Sequence, residues 1–186
     1  MSNTVFYAIG GALVVLIVWI VATWNSFVRA RNKVEEAWSG IDVQLKRRHD
    51  LVPNLVETVK GYATHERETL TNVTAARSDA MAADTREERA AAESALSSAL
   101  GGIRALAEQY PQLRAAENFQ RLQAELSQLE DEIQAARRIY NSNVQNYNTR
   151  IQVFPNSLLS GKSFSAREFF ELDTPADRNV PAVSFA

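Results

Sequence analysis

Few residues in this chain have the side chains that metal or nucleophilic chemistry requires. The chain has no cysteine, which removes thiolate nucleophiles, thiolate metal ligands and disulfides. Its two histidines are His49 and His65, and neither has a glutamate three positions before it, so the Glu-x-x-His pattern of di-iron bundles is absent. The sequence also lacks a G-x-S-x-G motif and a glycine-rich phosphate loop. We therefore predict no catalytic residue, no metal site and no cofactor.

A group of asparagines and tyrosines near residue 140 is the main candidate for a binding surface. Asparagine is a weak helix former, yet four asparagines lie between 141 and 148 in a sequence of helical character. We expect this face to form interhelical hydrogen bonds that fix the register of a helix pair, as polar residues do in coiled coils. The alternative is a surface that binds a ligand or a partner. The residues of this face are Arg137, Asn141, Asn148, Tyr140 and Tyr147.

Basic residues form two clusters with different expected roles. The first cluster is the run at 46–49, which we expect to form a solvated face. In addition, we expect Arg48 of this run to form one buried ion pair with Glu130. The second cluster is expected to contact anionic lipid headgroups, at about 1 kcal/mol for each cation near the surface. It consists of Arg29, Arg31 and Lys33. The chain as a whole has 20 basic and 22 acidic residues, a balance that argues against nucleic-acid binding.

An apolar stretch from Val5 to Trp24 precedes all of these residues. It contains no Asp, Glu, Lys or Arg, and its roughly 20 residues span about 30 Å as a helix, the thickness of the hydrocarbon core. Tyr7 and Trp19 lie toward its ends, where aromatic rings favour the headgroup level. A cleaved signal peptide would need a basic start, a shorter apolar run and a small-x-small cleavage site. The stretch therefore predicts a retained transmembrane helix.

The charges beside this helix predict its orientation. The first four residues carry no Lys or Arg, whereas three basic residues follow the apolar stretch between 29 and 33. The positive-inside rule then places the N-terminus outside and the bulk of the chain in the cytoplasm.

Two long amphipathic helices are predicted from apolar residues at spacings of three and four, over residues 27–62 and 119–154. Pro53 lies inside the first pattern and predicts a kink. Gly61 predicts the end of that helix. The alternative is a single long hairpin in which the first helix continues past Gly61.

The apolar faces of these two helices, which we call the seams, have equal length, so antiparallel pairing gives a simple register. Phe27 would lie near Phe154, and Ile41 near Tyr140. In this register Arg48 lies close to Glu130, its expected partner in the buried ion pair.

Shorter helices are expected between the two long ones, at about 65–83 and 85–109. Thr85 with Glu88 three residues later has the sequence of a capping box. The predicted fold class is all-α: a transmembrane helix running into a long antiparallel bundle of about four helices, followed by an irregular C-terminal tail.

The tail, residues 155–186, differs from the rest of the chain. It is loop-rich, with Ser165 placed to cap a short helix through Leu172. We expect it to pack on the bundle, on the membrane surface or on a neighbouring protomer, because it carries several large apolar residues. These are Leu158, Leu159, Phe164, Phe169, Phe170 and Leu172.

Three segments of the chain resemble the bacterial LemA family: RARNKVEEAWSGIDVQLKRRHDLVPNLVETVKGYATHE at 29–66, YPQLRAAENFQRLQAEL at 110–126, and RRIYNSNVQNYNTRIQVFPNS at 137–157. With the anchor in front of them, the resemblance covers nearly the whole chain. It implies a membrane-anchored helical bundle without an established catalytic activity. It also implies a link to relatives associated with membrane organisation in bacteria that build internal compartments.

The sequence thus predicts three parts: an anchor at 1–26, a cytoplasmic helical bundle at 27–154 and the tail at 155–186. The leading hypothesis is a non-catalytic scaffold in the bacterial cytoplasmic membrane that self-associates and organises membrane or membrane-protein partners. The expected partners are the lipid bilayer, further copies of the chain and another membrane protein, with no nucleic acid. The alternative is a monomeric adaptor for a membrane protease or another membrane protein.

Overall fold

The computed structural model describes residues 2–171, and over this range the chain is helical with no β-strand. The predicted all-α fold class is confirmed. The helices are α1 Ser2–Lys60, α2 Arg67–Ala82, α3 Arg86–Gln109, α4 Pro111–Ala115, α5 Glu117–Gln152 and α6 Ser157–Ser160, followed by a 3₁₀ turn at Gly161–Ser163. The chain divides into two compact units. The first combines α1 up to Ile41 with Ala136–Phe169, and the second contains Asp42–Ala135 and Phe170.

The first unit includes the apolar stretch, which is the one part of the described chain long and apolar enough to cross a membrane. Most of its large side chains are turned to the outside, with exposures from 44% at Trp24 to 80% at Tyr7, whereas Trp19 and Ile20 are half-buried. Beyond Trp24, α1 packs antiparallel against α5. The residues buried there are Phe27, Val34, Ile41, Tyr140, Val144, Tyr147, Ile151 and Phe164.

The antiparallel pairing of the two long helices is as predicted, but its register differs by about one helical turn. The ring of Tyr140 packs on Trp38 at a centroid distance of 5.5 Å, three residues before the expected Ile41. The predicted contact of Phe27 with Phe154 is wrong, because Phe154 is 80% exposed. Phe164, from beyond the end of α5, packs on Phe27 instead, at a centroid distance of 5.1 Å.

The second unit is a bundle whose core is filled from every helix that enters it. Large side chains come from both long helices and also from α2 and α3, which bury Leu70, Val73, Leu96, Ile103 and Leu106. This core contains Val52, Leu55, Val59, Ala63, Leu70, Val73, Ala80, Leu96, Ile103, Leu106, Ala107, Leu113, Phe119, Leu122 and Leu126.

Pro53 lies within α1 without ending it. A proline has no backbone N–H, so the carbonyl four residues earlier, that of His49, loses its helical hydrogen bond. Arg77 on α2 supplies the missing donor: its Nε donates to the His49 carbonyl oxygen at 2.7 Å. This contact explains how a proline is accommodated in a packed helix, because a buried carbonyl without a partner is costly.

The helix ends follow the sequence signals. Helix α1 ends at Lys60, directly before Gly61, so the alternative of one hairpin continuing past Gly61 is wrong. The capping box at Thr85 is confirmed, since the Thr85 hydroxyl accepts from the Glu88 N–H and the Glu88 carboxylate accepts from the Thr85 N–H. A short helix, α4, follows Tyr110 and separates α3 from α5.

The tail differs from its prediction. Residues 165–171 form no helix, so the expected short helix from Ser165 is wrong for the described part, and Leu172 lies outside the described residues. Phe164 and Phe170 are 4% and 2% exposed within this single chain, so they need neither lipid nor a second protomer to be buried. Leu158 and Phe169, by contrast, are 72% and 49% exposed.

Candidate functional site

The asparagine–tyrosine face of α5 holds a segment of the same chain, residues 164–168, which we call the docked segment. The Tyr147 hydroxyl donates to the Ser165 carbonyl oxygen and the Tyr140 hydroxyl to the Glu168 carbonyl oxygen, each at 3.0 Å. The Asn148 side chain binds Arg167 twice: its amide nitrogen donates to the Arg167 carbonyl, and its oxygen accepts from the Arg167 N–H, both at 2.8 Å.

These four hydrogen bonds all go to backbone atoms of the docked segment. They therefore fix the path of the segment without specifying its side chains. Tyr140 and Tyr147 are each 1% exposed, so their hydroxyls need these partners to be satisfied. Burial raises the pKa of the Tyr147 hydroxyl, and the positive charges of Arg167 and Arg31 act in the opposite direction.

The expectation that this face fixes the register of a helix pair through interhelical hydrogen bonds stays a prediction. Three of its residues hold the docked segment, because the segment lies along the face that the sequence pattern assigned to a helix. An interhelical bond comes from a neighbouring asparagine, Asn143, whose amide donates to the Lys33 carbonyl at 3.4 Å. Arg137 is buried and Asn141 half-buried on the same helix.

Side chains of the docked segment attach it close to the apolar stretch. The Phe164 ring makes edge contacts with Trp24 and Phe27, at centroid distances of 4.8 and 5.1 Å. The Arg31 guanidinium lies over the same ring at 5.8 Å, a cation–π arrangement. Arg167 forms an ion pair with Glu35 at 3.1 Å. The three basic residues expected at lipid headgroups thus separate: Arg31 packs on Phe164, whereas Arg29 and Lys33 are exposed.

A second group of functional candidates is the charge cluster around Arg48. Arg48 is 1% exposed, and its Nη1 donates to the Glu130 carboxylate and to the Ser97 hydroxyl, each at 2.9 Å. Its Nη2 binds the carboxylate of Glu93, which also bonds His49 Nε2 at 2.8 Å. The Glu93 side chain is completely buried, whereas that of Glu130 is 40% exposed. The fully buried partner of Arg48 is therefore Glu93.

Sequence reasoning missed Glu93 because it lies on α3, outside the two long seams. A signal was present: Glu93 precedes Leu96 by three residues and so lies on the buried face of that helix. Burial raises the pKa of the Glu93 carboxyl, but the hydrogen bond from His49 and the charge of Arg48 outweigh it, so its pKa lies below its usual value. Glu93 is thus an ionised buried group neutralised by its neighbours.

The family relationship follows from comparison with known proteins. The model of the LemA family matches residues 37–185, which include α2 to α5, the docked segment and the Arg48 cluster. This chain belongs to the LemA family. Membership is consistent with the all-helical fold and with the apolar stretch in front of the matched region.

Relatives of this LemA-family chain include a protein named LemA and proteins named for the magnetosome. It is 30% identical to Protein LemA of Metamycoplasma hominis over 139 residues, which cover 74% of this chain and 64% of the relative. It is 24% identical to magnetosome protein MamQ 2 of Paramagnetospirillum magneticum and to magnetosome protein MamQ of Magnetospirillum gryphiswaldense, over 91% of this chain and 72% of each relative. None of these names denotes an enzyme.

The described part of this LemA-family chain presents two polar groups, the Arg48 cluster and the asparagine–tyrosine face. Within residues 2–171, no group of three or more histidines and carboxylates is arranged to hold a metal ion. The Arg48 cluster is a neutralised network, and the asparagine–tyrosine face is taken up by the docked segment. The family and its relatives indicate a membrane-associated protein, and the apolar stretch of α1 supplies a helix that fits this association.

Proposed function

We propose that this chain is a membrane-anchored, non-catalytic scaffold that self-associates and organises membrane or membrane-protein partners. The apolar stretch of α1 is the anchor, and the helical parts that follow it carry the interaction surfaces.

The observation that carries this proposal is a group of exposed apolar side chains at the membrane end of the first unit. Phe154 is 80% and Leu158 72% exposed, and Val153 beside them is 45% exposed. Arg150 donates to the Ser26 hydroxyl at 2.7 Å, so the end of α5 lies level with the start of the polar part of α1. Residues 153–158 follow at that level. Exposed apolar groups of this kind favour protein or membrane contacts.

The test is the mass of the full-length protein in lipid nanodiscs, measured by native mass spectrometry. The wild type is expected to form a uniform assembly, and the double variant Phe154→Ser/Leu158→Ser to be monomeric. The control is Val43→Ser/Met81→Ser, which changes two exposed apolar residues elsewhere, 52% and 55% exposed, and should leave the assembly intact.

A monomeric wild type would overturn self-association and favour the second candidate function, a monomeric adaptor for a membrane protease or another membrane protein. An assembly that survives the Phe154→Ser/Leu158→Ser change would show that residues 153–158 are not the interface.

We also propose that the protein lies in the bacterial cytoplasmic membrane with its N-terminus outside and its helical units in the cytoplasm. The basic residues that follow the apolar stretch support this orientation. Because the chain has no cysteine, single-cysteine variants report topology directly. In intact cells an impermeant maleimide should label Asn3→Cys and not Ser98→Cys, and lysis should expose both. The reverse pattern would contradict the orientation.

A further inference from the structure

A polar groove in the first unit lies directly beside the end of the apolar stretch. It has a volume of about 390 Å³ and is open to solvent. Its floor and walls come from one face of α1 and the facing side of α5. The lining residues that matter are Ser26, Arg29, Lys33, Asn143, Asn146 and Arg150.

The groove carries positive charge without a compensating acid. Three of its lining residues are cations and none is a carboxylate. Among the described residues, neither Arg29 nor Lys33 forms an ion pair, and Arg150 bonds through its side chain to the neutral Ser26 hydroxyl at 2.7 Å. Other cations of the same unit are used differently, since Arg31 packs on Phe164 and Arg167 pairs with Glu35. The groove therefore keeps its charges available for an external anion.

The polar groups of the groove suit an anion with several oxygens. Arginine offers a planar fork of N–H donors that matches phosphate, and lysine adds a compact charge. Asn146 is exposed, and Asn143 uses one amide donor on the Lys33 carbonyl at 3.4 Å. An asparagine amide has two N–H donors, so both residues keep donors for oxygen atoms of a ligand.

The position of the groove indicates where the anion comes from. At 1.5 Å per residue, Arg29 lies about 8 Å and Lys33 about 14 Å along α1 from Trp24. Each headgroup layer of a bilayer is roughly 5–8 Å thick, so Arg29 reaches the level of the lipid phosphates when the apolar stretch spans the membrane.

We propose that this groove binds the phosphate of an anionic phospholipid headgroup. The proposal rests on the membrane anchoring proposed above. In this site Arg29, Lys33 and Arg150 neutralise the charge of the phosphate, and the Asn146 amide donates hydrogen bonds to its oxygens.

The test measures lipid preference of the full-length protein reconstituted in nanodiscs of phosphatidylcholine with one fifth phosphatidylglycerol. Native mass spectrometry counts the lipids that remain bound to the protein after the protein is released from the nanodisc in the gas phase. The wild type is expected to retain phosphatidylglycerol, and Arg29→Gln/Lys33→Gln/Arg150→Gln to lose this preference by tenfold or more, since each cation near the surface contributes roughly fivefold.

The matched control is Lys46→Gln/Lys60→Gln/Arg121→Gln, which removes the same charge from exposed residues outside the groove. It should keep the lipid preference. Equal losses in the two triple variants would overturn the proposal, because general attraction to an anionic surface would then explain the preference. So would an unchanged preference in the groove variant. Circular dichroism of each variant checks that its helix content is retained.

Two further arms separate the remaining explanations. Asn146→Ala changes no charge and should lower phosphatidylglycerol retention by about threefold, whereas an unchanged retention would overturn the role of directional hydrogen bonds. Inorganic phosphate added at millimolar concentration should not displace the lipid; displacement would assign the groove to a soluble phosphate instead. Failure of the wild type to insert into nanodiscs of any composition would contradict the anchoring itself.

Discussion

At the scale of single residues, the Arg48 cluster is where one substitution should matter most. Glu93 is completely buried between Arg48 and His49, whereas Glu130 reaches the same guanidinium from a partly exposed position. The two carboxylates that bind Arg48 are therefore not equivalent. The cost of losing each one depends on how deeply it is buried.

We predict that Glu93→Gln lowers the free energy of unfolding by about 3 kcal/mol, since it leaves a buried cation poorly neutralised. The matched variant Glu130→Gln should cost about 1 kcal/mol or less, because water solvates this partly exposed position. Urea unfolding of the full-length protein in mild detergent, followed by circular dichroism, measures both. Equal costs would refute the distinction between the two carboxylates.

The same carboxylate predicts how stability depends on pH. The pKa of Glu93 in the folded chain lies below its value of 4.5 in the unfolded chain. Its ionised form therefore stabilises the fold above about pH 4.5, and this contribution is lost as the pH falls through the lower, folded-state pKa. The stability difference between wild type and Glu93→Gln should therefore shrink as the pH falls below about 4.5. A difference that grows with acidification would contradict the sign of the shift.

At the scale of elements, two long-range contacts show how helices and loops are held. Arg77 of α2 serves the carbonyl that Pro53 leaves free in α1, and Asn148 of α5 fixes the docked segment through its backbone. In both contacts, a side chain from another part of the chain supplies a backbone hydrogen bond that the local secondary structure does not provide.

For the first contact we predict coupling between two substitutions. Arg77→Ala alone should destabilise the protein by about 1–2 kcal/mol, because it leaves the His49 carbonyl without a donor. In a Pro53→Ala background, alanine restores the helical N–H, so the same Arg77→Ala change should cost about 1 kcal/mol less. A double-mutant cycle by urea unfolding measures this difference. Strict additivity would contradict the interpretation of the contact.

For the second contact we predict a local effect. Asn148→Ala removes both hydrogen bonds to Arg167 and should speed amide exchange of the docked segment by roughly tenfold, at about 0.5–1.5 kcal/mol for each bond. Asn146→Ala, an exposed asparagine on the same helix, is the control and should leave this exchange unchanged. Hydrogen–deuterium exchange with mass spectrometry of residues 160–171 reports the result. Unaltered exchange in Asn148→Ala would mean that the ring contacts of Phe164 alone hold the segment.

At the scale of the whole molecule, we predict that membrane association depends on the apolar stretch of α1. Leu16 lies near the middle of this stretch and is 48% exposed, while Val43 has a similar exposure of 52% outside it. An arginine at the centre of a membrane helix costs about 2.5–3.5 kcal/mol.

Leu16→Arg should therefore reduce the fraction of protein that resists extraction by alkaline carbonate, and Val43→Arg should not. Quantitative immunoblotting of membrane and soluble fractions checks this. Equal extraction of the two variants would remove the special role of residues 5–24 in membrane association.

What the sequence by itself determined is local. Apolar spacing predicted most of the residues that are buried along the two long helices, Gly61 marked the end of α1, and Thr85 with Glu88 marked the start of α3. At the predicted ends of the two apolar patterns, Tyr62 and Phe154 are exposed. These signals act between residues a few positions apart, so their outcome is set before any long-range contact forms. Arg48, which was expected to form a buried ion pair, is likewise buried.

What only the tertiary structure decided is which distant groups meet. The register of α1 against α5 differs from the simplest alignment, and Phe164, from beyond α5, fills the space beside Phe27. Glu93 joins Arg48 across 45 residues of sequence, and the docked segment covers a face that the helical pattern assigned to a helix partner. Such contacts depend on shape and burial across the fold, which the spacing of residues along one helix does not encode.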